Sequence, residues 1–161
     1  MTPVLHSVTP AHARLLAGMH KICFVEWWDA RAMGGLLAMP GAGGLLASLP
    51  GDAGADGKEE GARDAEVAPA GFILWRVAGD EAEVLTLLVL PPYRRTGLGV
   101  RLLEGALARV RGEGAQSFFL EVAADNEPAK ALYSAQGFER VGLRPRYYRN
   151  SIDALIMKRT L

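Results

Sequence analysis

Residues 91–105, PPYRRTGLGVRLLEG, hold the clearest chemical pattern in this chain. An apolar run ends at two prolines, Arg94 and Arg95 follow, and Gly97 and Gly99 then open a helical pattern. Glycines at the start of a helix expose backbone N–H groups and the positive end of the helix dipole, which together bind anions such as polyphosphates. The pattern predicts an anion-binding turn or, as the alternative, a tight connection with solvated arginines.

Two common nucleotide-binding motifs are excluded at this turn. The dinucleotide fingerprint needs a third glycine at position 102, where the chain has Leu102. The P-loop ends in Gly-Lys-Ser/Thr, and this tripeptide does not occur in the chain. An anion bound here would have to be held by a different kind of loop.

Glu121 is the second feature that suggests chemistry. It interrupts the otherwise apolar segment FFLEVA, residues 118–123. Burying a carboxylate is costly unless the group is paired or has a function. The two interpretations are an ion pair with Arg144 or Arg146 and a general base in catalysis.

The spacing Arg-x-x-Gly-x-Gly at 94–99 resembles the pyrophosphate loop of the GNAT family of acyl-CoA N-acyltransferases. Downstream, LEVAADNEPAKALYSAQGF at 120–138 resembles the family's Glu-containing strand, its Asn, and its Ala-Leu-Tyr helix ending in Gly-Phe. The pair YY followed by DALIM resembles the C-terminal strands of the RimI branch, the ribosomal-protein-alanine N-acetyltransferases, which acetylate protein N-termini. The similarity extends from about residue 83 to residue 157.

This resemblance implies a mixed, mostly antiparallel central sheet that splays into a V and holds acetyl-CoA in the gap. It implies that backbone groups on the central strand contact the pantetheine arm and the thioester, that the glycine loop wraps the pyrophosphate, and that one Asn holds the pantetheine. The implied cofactor-binding residues are Leu87, Leu88, Val89, Arg94, Arg95, Thr96, Gly97, Leu98, Gly99, Val100 and Asn126. A helix N-cap at Asn126 is compatible with this role.

The resemblance also assigns the chemistry of transfer. Glu121 is the implied base that takes the proton of the amine, directly or through water, and Tyr133 is the implied acid that protonates the leaving thiolate. The backbone N–H of Val89 is the implied oxyanion donor. The amine attacks directly in a ternary complex, so Cys23 carries no acyl group. For Tyr133, a core aromatic with a bound hydroxyl is the alternative.

The implied acceptor is a protein N-terminal amine, most specifically the alanine of a small-subunit ribosomal protein. Three differences from the family affect the acceptor: an acidic insertion at 51–70, a short link at 148–153, and Ala123 where an arginine is often found. A lysine side chain, an antibiotic or a polyamine remains an alternative acceptor, and a CoA-binding module without turnover is an alternative of another class. The aromatic residues that either line the acceptor groove or belong to the core are Trp27, Trp28, Tyr147 and Tyr148.

Composition limits the class of protein. The chain has 161 residues, half of them apolar, and a formal net charge of zero, which predicts one domain over 1–161 and no basic field for nucleic acid or a membrane surface. A single cysteine and the absence of a signal-peptide pattern predict a cytoplasmic protein. The three histidines, His6, His12 and His20, lack the spacing of a metal site.

The periodicity of the chain predicts the order of its elements. Helices are expected at 9–22 and at 28–33, the second ending at Gly34 and Gly35, followed by a brief strand at 45–48 and a flexible acidic loop at 51–70. A hairpin at 71–90 turns at Gly79 and Asp80, and a helix at 98–111 follows. A strand, a short helix capped by residue 125 or 126, and two closing strands complete an α/β (α+β) fold with about four helices.

Overall fold

The computed structural model describes residues 2–50, 67–148 and 152–161. The described elements are, in chain order, β1 (Val4–Ser7), a 3-10 turn (Pro10–His12), α1 (Ala13–Cys23), α2 (Ala30–Leu37), β2 (Ala42–Pro50), β3 (Val67–Ala78), β4 (Glu81–Val89), a 3-10 turn (Pro91–Tyr93), α3 (Leu98–Gly112), β5 (Ser117–Ala123), α4 (Glu127–Ala135), β6 (Glu139–Tyr148) and β7 (Ile152–Thr160).

The seven described strands form one sheet in the order β1-β2-β3-β4-β5-β7-β6. All neighbouring pairs are antiparallel except β4 and β5, which are parallel. The hairpin between β3 and β4 turns at Gly79 and Asp80, as predicted, with Gly79 at a φ of +62°. Strand β4 lies at the centre of the sheet, which explains its nearly continuous apolar sequence.

Strands β4 and β5 separate along most of their length. They pair only where residues 81–83 face residues 117–119, although β4 continues to Val89 and β5 to Ala123. The register between β3 and β4 shifts where Leu74 faces Thr86 and Trp75 faces Val84, so Leu85 is an extra residue in β4. A bulge bends its strand and increases the local twist. The predicted V in the sheet is thus confirmed, and it opens beside this bulge.

Two apolar clusters pack on opposite faces of the sheet. On one face, the predicted stripe of α3 is buried together with Tyr133 of α4; its members are Leu102, Leu103, Ala106, Leu107 and Val110. On the other face, Leu16 and Met19 of α1 and Met33 of α2 pack against Phe72 and Leu88. The V is therefore bordered by α3 and α4 on one face and by α1 and α2 on the other.

The structure corrects four details of the predicted elements. Strand β1 was not predicted, and β2 covers Ala42–Pro50 rather than 45–48, because pairing with β1 on one side and β3 on the other extends it. Helix α2 continues through Gly34 and Gly35 to Leu37. Residues 67–70 belong to β3, and the remainder of the predicted acidic loop, 51–66, lies outside the described residues.

Helix α2 accommodates both glycines because other contacts stabilise it. Each helical glycine costs about 1 kcal/mol relative to alanine. The Asp29 side chain accepts a hydrogen bond from the Ala32 N–H (2.8 Å) and caps the helix. Met33 is completely buried in the cluster shared with α1. The cap and this burial offset the cost of Gly34 and Gly35, so the helix ends one turn later than predicted.

Candidate active site

A cavity of about 1200 Å³ occupies the V between β4 and β5. Four of the predicted site residues line it: Leu87 on β4, Glu121 on β5, and Asn126 and Tyr133 at the start and in the body of α4. The splay of the sheet creates this space, because the edges of two strands that no longer pair leave a gap. Backbone groups, a carboxylate and a phenol therefore meet around one cavity.

The backbone of β4 alternates between β3 and the cavity. The Leu90 N–H donates to the Ala70 carbonyl (2.8 Å). Because hydrogen-bonded and non-hydrogen-bonded pairs alternate in an antiparallel ladder, Leu88 pairs with β3, and the N–H and C=O groups of Leu87 and Val89 point towards the gap. Residues 81–87 of β4 line the cavity together with Glu121 and Tyr133, so the gap-facing backbone of Leu87 belongs to the same cavity.

The predicted anion-binding loop has the geometry of an open helix start. Gly97 precedes α3 with a φ of +82°, and no side chain among the described residues caps the first N–H groups of this helix. Arg95 also adopts a positive φ, +62°. The Thr96 hydroxyl donates to the Tyr93 carbonyl (2.6 Å) and closes the turn that leads into the loop. The uncapped N–H groups at 98–100 are thus directed at the position that an anion would occupy.

Arg94 and Arg95 differ in their contacts. The Arg94 Nε donates to the Val89 carbonyl (3.0 Å), and its terminal nitrogen lies 3.8 Å from the Cys23 Sγ. This guanidinium therefore holds the end of β4 beside α1. It makes these contacts with β4 and α1 rather than with the loop at 95–100. Arg95 is exposed at the rim of that loop.

Glu121 forms the ion pair that the sequence left as an alternative. Its Oε1 lies 2.9 Å from the Arg144 Nε of β6, and the two side chains are 27% and 56% exposed. Arg146, the other candidate partner, instead donates its backbone N–H to the Asp153 carboxylate (2.9 Å). Exposed ion pairs of this kind contribute only about 0–1 kcal/mol. The pair with Arg144 by itself is therefore a weak reason for a carboxylate in this strand.

Tyr133 and Asn126 are both anchored by the fold of α4. Tyr133 is 7% exposed and packs edge-on against Phe138, with ring centroids 5.8 Å apart. Asn126 caps α4, because its Oδ1 accepts from the Ala129 N–H (3.3 Å). The cap engages the amide oxygen, so the amide NH2 is the group of this side chain that can donate to a ligand. Each residue thus has the structural role that the sequence allowed and also lines the cavity.

His20 is a cavity residue that the sequence pattern did not single out. It is 3% exposed, and its ring stacks between Phe24 (4.3 Å between centroids) and Trp28 (4.6 Å). Its Nδ1 accepts the Trp28 backbone N–H (3.0 Å). Burial lowers the pKa of His20 from its ordinary value of 6.5. Its spacing of four residues from Leu16, on the apolar face of α1, was the available signal.

The four aromatic residues considered for the acceptor groove have different environments. Trp28 and Tyr147 line the cavity, and Trp28 also packs against the cluster beneath α1 and α2. Trp27 is exposed, lies outside the lining of the cavity, and has the Lys21 ammonium 5.2 Å from its ring centroid. The Tyr148 side chain lies outside what the structure describes.

The free energy of unfolding is expected to fall as the pH drops below about 6.5, the ordinary pKa of histidine. Because burial lowers the His20 pKa in the folded state, the unfolded state binds more protons between the two pKa values, and stability present above 6.5 is lost as the pH falls. Free energies of unfolding from urea titrations of wild type and His20→Gln, from pH 7.5 to 5, measure this effect, since the variant lacks the ring but retains His6 and His12. The difference between the two free energies should change by at most ~1.4 kcal/mol per pH unit. The same pH dependence in both proteins would contradict a lowered pKa of His20.

Two further properties concern the described residues alone. They contain no group of three or more His, Cys, Asp or Glu side chains placed to hold a metal ion. None of the helices they form is both long enough and apolar enough to cross a bilayer.

The sequence is similar to acetyltransferases. A family model described as the acetyltransferase (GNAT) family matches residues 51–138. N-alpha-acetyltransferase RimI from Mycobacterium tuberculosis is 48% identical over 87 residues, 53% of each chain. The [ribosomal protein bS18]-alanine N-acetyltransferase of Escherichia coli K12 is 38% identical over 91 residues, 55% of this chain and 62% of that protein. The chain thus aligns with about half to three fifths of the length of these relatives.

Solved structures share the fold over nearly the whole chain. The crystal structure of the Escherichia coli ribosomal-protein-S18-alanine N-acetyltransferase has a TM-score of 0.82 at 23% identity and covers 99% of this chain and 94% of that one. Arabidopsis thaliana NAA60 in complex with acetyl-CoA has a TM-score of 0.81 at 18% identity and covers 99% of both chains. At these identities the similarity establishes the architecture, and it confirms the predicted fold class.

Proposed function

The chain belongs to the GNAT family of acetyltransferases, and we propose from this premise that it transfers the acetyl group of acetyl-CoA to the N-terminal amine of a protein. The observation that carries the proposal is the cavity in the V of the sheet, where Leu87, Glu121 and Tyr133 meet. The relatives named as N-alpha-acetyltransferases support an N-terminal acceptor. The finer assignment, the alanine of a ribosomal protein, is supported by the name of the Escherichia coli relative. A cytoplasmic location stays a prediction from the sequence.

The residues available for acetyl-CoA fit its two polar regions. The uncapped N–H groups at 98–100 and the left-handed backbone at Gly97 suit a pyrophosphate, because they present donors at the positive end of α3 without a side chain in the way. The gap-facing N–H and C=O of Leu87 and the gap-facing N–H of Val89 suit an amide-bearing arm laid along β4, while the Val89 carbonyl accepts from Arg94. The Asn126 amide at the start of α4 would donate to the same arm. Acetyl-CoA supplies the activated acyl group as the cosubstrate.

The proposed transfer needs a base, an oxyanion donor and an acid. Glu121 accepts the proton of the incoming ammonium, directly or through water. The Leu87 N–H and the Val89 N–H stabilise negative charge on the thioester oxygen. The Tyr133 hydroxyl donates its proton to the departing sulfur. The amine attacks the acyl carbon directly, so no residue of the chain carries the acetyl group.

A thiol-release assay with three acceptors tests the proposed function. The acceptors are a peptide beginning with alanine, the same peptide with a blocked N-terminus and one internal lysine, and a small polyamine. Thiol release with the first peptide, and acetyl on its α-nitrogen by mass spectrometry, is the expected result. Activity confined to the lysine peptide or the polyamine would overturn the N-terminal acceptor. Binding of acetyl-CoA without thiol release for any acceptor would identify a module without turnover.

Replacing Gly97 by alanine is expected to raise the KM for acetyl-CoA about tenfold. The left-handed conformation costs a non-glycine residue roughly 1–2 kcal/mol, so the variant would relax the backbone that precedes the loop's donors. Gly112→Ala is the matched control, because a Cβ at either glycine meets no atom within 4 Å and only Gly97 has a positive φ. Steady-state kinetics at saturating peptide measures both variants. Equal KM values for the two would contradict a role of this loop in cofactor binding.

A further inference from the structure

His20 is a buried polar residue on the wall of the cavity that the proposed transfer does not use. Both faces of its ring are covered, because Phe24 and Trp28 stack on it with interplanar angles of 28° and 14°. Its Nδ1 is engaged by the Trp28 backbone N–H at 3.0 Å. The residue nevertheless lines the cavity. Nε2 makes no hydrogen bond to the described residues and is not a fully buried atom, so it is the ring nitrogen that the space of the cavity can reach.

The hydrogen bond at Nδ1 determines the tautomer. A backbone N–H can only donate, so Nδ1 accepts and carries no proton. The proton of the neutral ring is then on Nε2. Burial lowers the His20 pKa and keeps the ring neutral at pH 7. The wall of the cavity thus presents one uncharged N–H donor, held in place by two aromatic rings and a backbone hydrogen bond.

His20 and Tyr133 approach the cavity from opposite faces of the sheet. Tyr133 belongs to the cluster beneath α3 and α4, the two helices whose N-termini bear the proposed cofactor groups. Trp28, on which His20 stacks, packs against the cluster beneath α1 and α2. If the acetyl donor occupies the α3–α4 side, the amine must arrive from the side of His20. This wall is consequently the acceptor side of the V.

We propose that His20 is a positioning residue of the acceptor site, whose Nε2–H donates to the first carbonyl oxygen of a peptide acceptor. The inference rests on the proposed function and deepens it. In an N-terminal residue the carbonyl carbon is bonded directly to the carbon that bears the amine, whereas the amine of a lysine side chain has only methylene groups nearby. A neutral donor also avoids repulsion of the incoming ammonium. His20 would thus favour N-terminal amines over lysine side chains.

Two peptides that differ only in their first peptide bond test this inference. One begins with alanine; the other has that bond replaced by a trans-alkene, which keeps the shape and lacks both the carbonyl oxygen and the amide N–H. Wild type is expected to use the first with a kcat/KM about tenfold higher, the usual effect of one hydrogen bond. His20→Asn keeps an oxygen that accepts the Trp28 N–H but removes the Nε2 donor. The kcat/KM of this variant should fall about tenfold with the first peptide, mainly through a higher KM, and should stay within twofold of wild type with the alkene peptide.

His20→Gln is the matched variant, because its amide NH2 can replace the Nε2–H and should restore most of the preference. The KM for acetyl-CoA should stay within twofold in both variants, a result that a merely structural role of His20 would not produce. Equal losses on both peptides, or a preference that survives in His20→Asn, would overturn the inference. Because the wild-type comparison needs no variant, equal use of the two peptides would overturn it even if a variant did not fold. Acetylation of neither peptide would refute the proposed function itself.

Discussion

The Tyr133→Phe enzyme is expected to release thiol at about one hundredth to one thousandth of the wild-type rate, the usual contribution of general acid–base catalysis. The change removes only the hydroxyl, and the ring keeps its place against Phe138 and in the cluster beneath α4. Without this donor, the sulfur must leave as an unprotonated thiolate. The loss should therefore fall on kcat, and the KM for acetyl-CoA should stay within twofold. Initial rates with saturating peptide and varied acetyl-CoA separate the two constants.

Tyr93→Phe is the control for the loss of a tyrosine hydroxyl. Tyr93 is partly buried, packs against the same cluster as Tyr133, and lies outside the lining of the cavity. Its variant should keep the wild-type rate. A Tyr133→Phe enzyme with undiminished turnover would exclude this residue as the acid. A rate loss that follows a loss of folded protein, measured by circular dichroism, would make its role structural.

The Glu121→Gln enzyme is expected to lose about a hundredfold in kcat, near the lower end of general-base contributions. The amide keeps the size of the side chain but takes no proton from the incoming amine. Raising the pH supplies more neutral amine and should recover part of the rate, because the substrate then needs no base. A pH series of kcat from 6 to 9.5 at saturating peptide measures both the loss and the recovery.

Arg144→Gln separates the base from its ion pair. It removes the other half of the 2.9 Å contact and leaves the carboxylate in place. Because solvent-accessible pairs contribute only about 0–1 kcal/mol to stability, the variant should remain folded, and because it keeps the Glu121 carboxylate it should retain far more activity than Glu121→Gln. Equal losses in the two variants, with equal losses in thermal stability, would show that Glu121 serves the ion pair and would exclude it as the base.

The elements that sequence patterns predicted well depend on neighbouring residues in the chain. The apolar stripe of α3 repeats at helical spacing, and every member of it is buried. Gly97 and Asn126 lie at helix starts, where backbone conformation and capping are decided within three or four residues. The turn at Gly79 and Asp80 is equally local. These signals survive in any tertiary arrangement that keeps the helices and the hairpin.

The errors arose where tertiary contacts override local preference. Gly34 and Gly35 predicted the end of a helix, but the burial of Met33 in the cluster shared with α1 stabilises the helix beyond them. The short strand β1 carries little pattern of its own and exists because β2 pairs with it. His20 was considered only as a metal ligand, because its helical spacing from Leu16 does not indicate the chain turn after α1 that brings Trp28 onto its ring beside Phe24.

The sequence by itself determined the family, the helix start at Gly97 that opens the predicted anion-binding loop, and the residue types that acyl transfer needs, because all of these are written in short motifs. The tertiary structure alone decided which of those groups meet. The splay of β4 from β5 places Leu87, Glu121 and Tyr133 around one cavity, the antiparallel ladder pairs the backbone of Leu88 with β3, and the packing of α1 and α2 brings His20 to the opposite wall. It also directs Arg94 to the end of β4. Such contacts join residues far apart in the chain, and their geometry follows from how the sheet bends and which helix packs on each face.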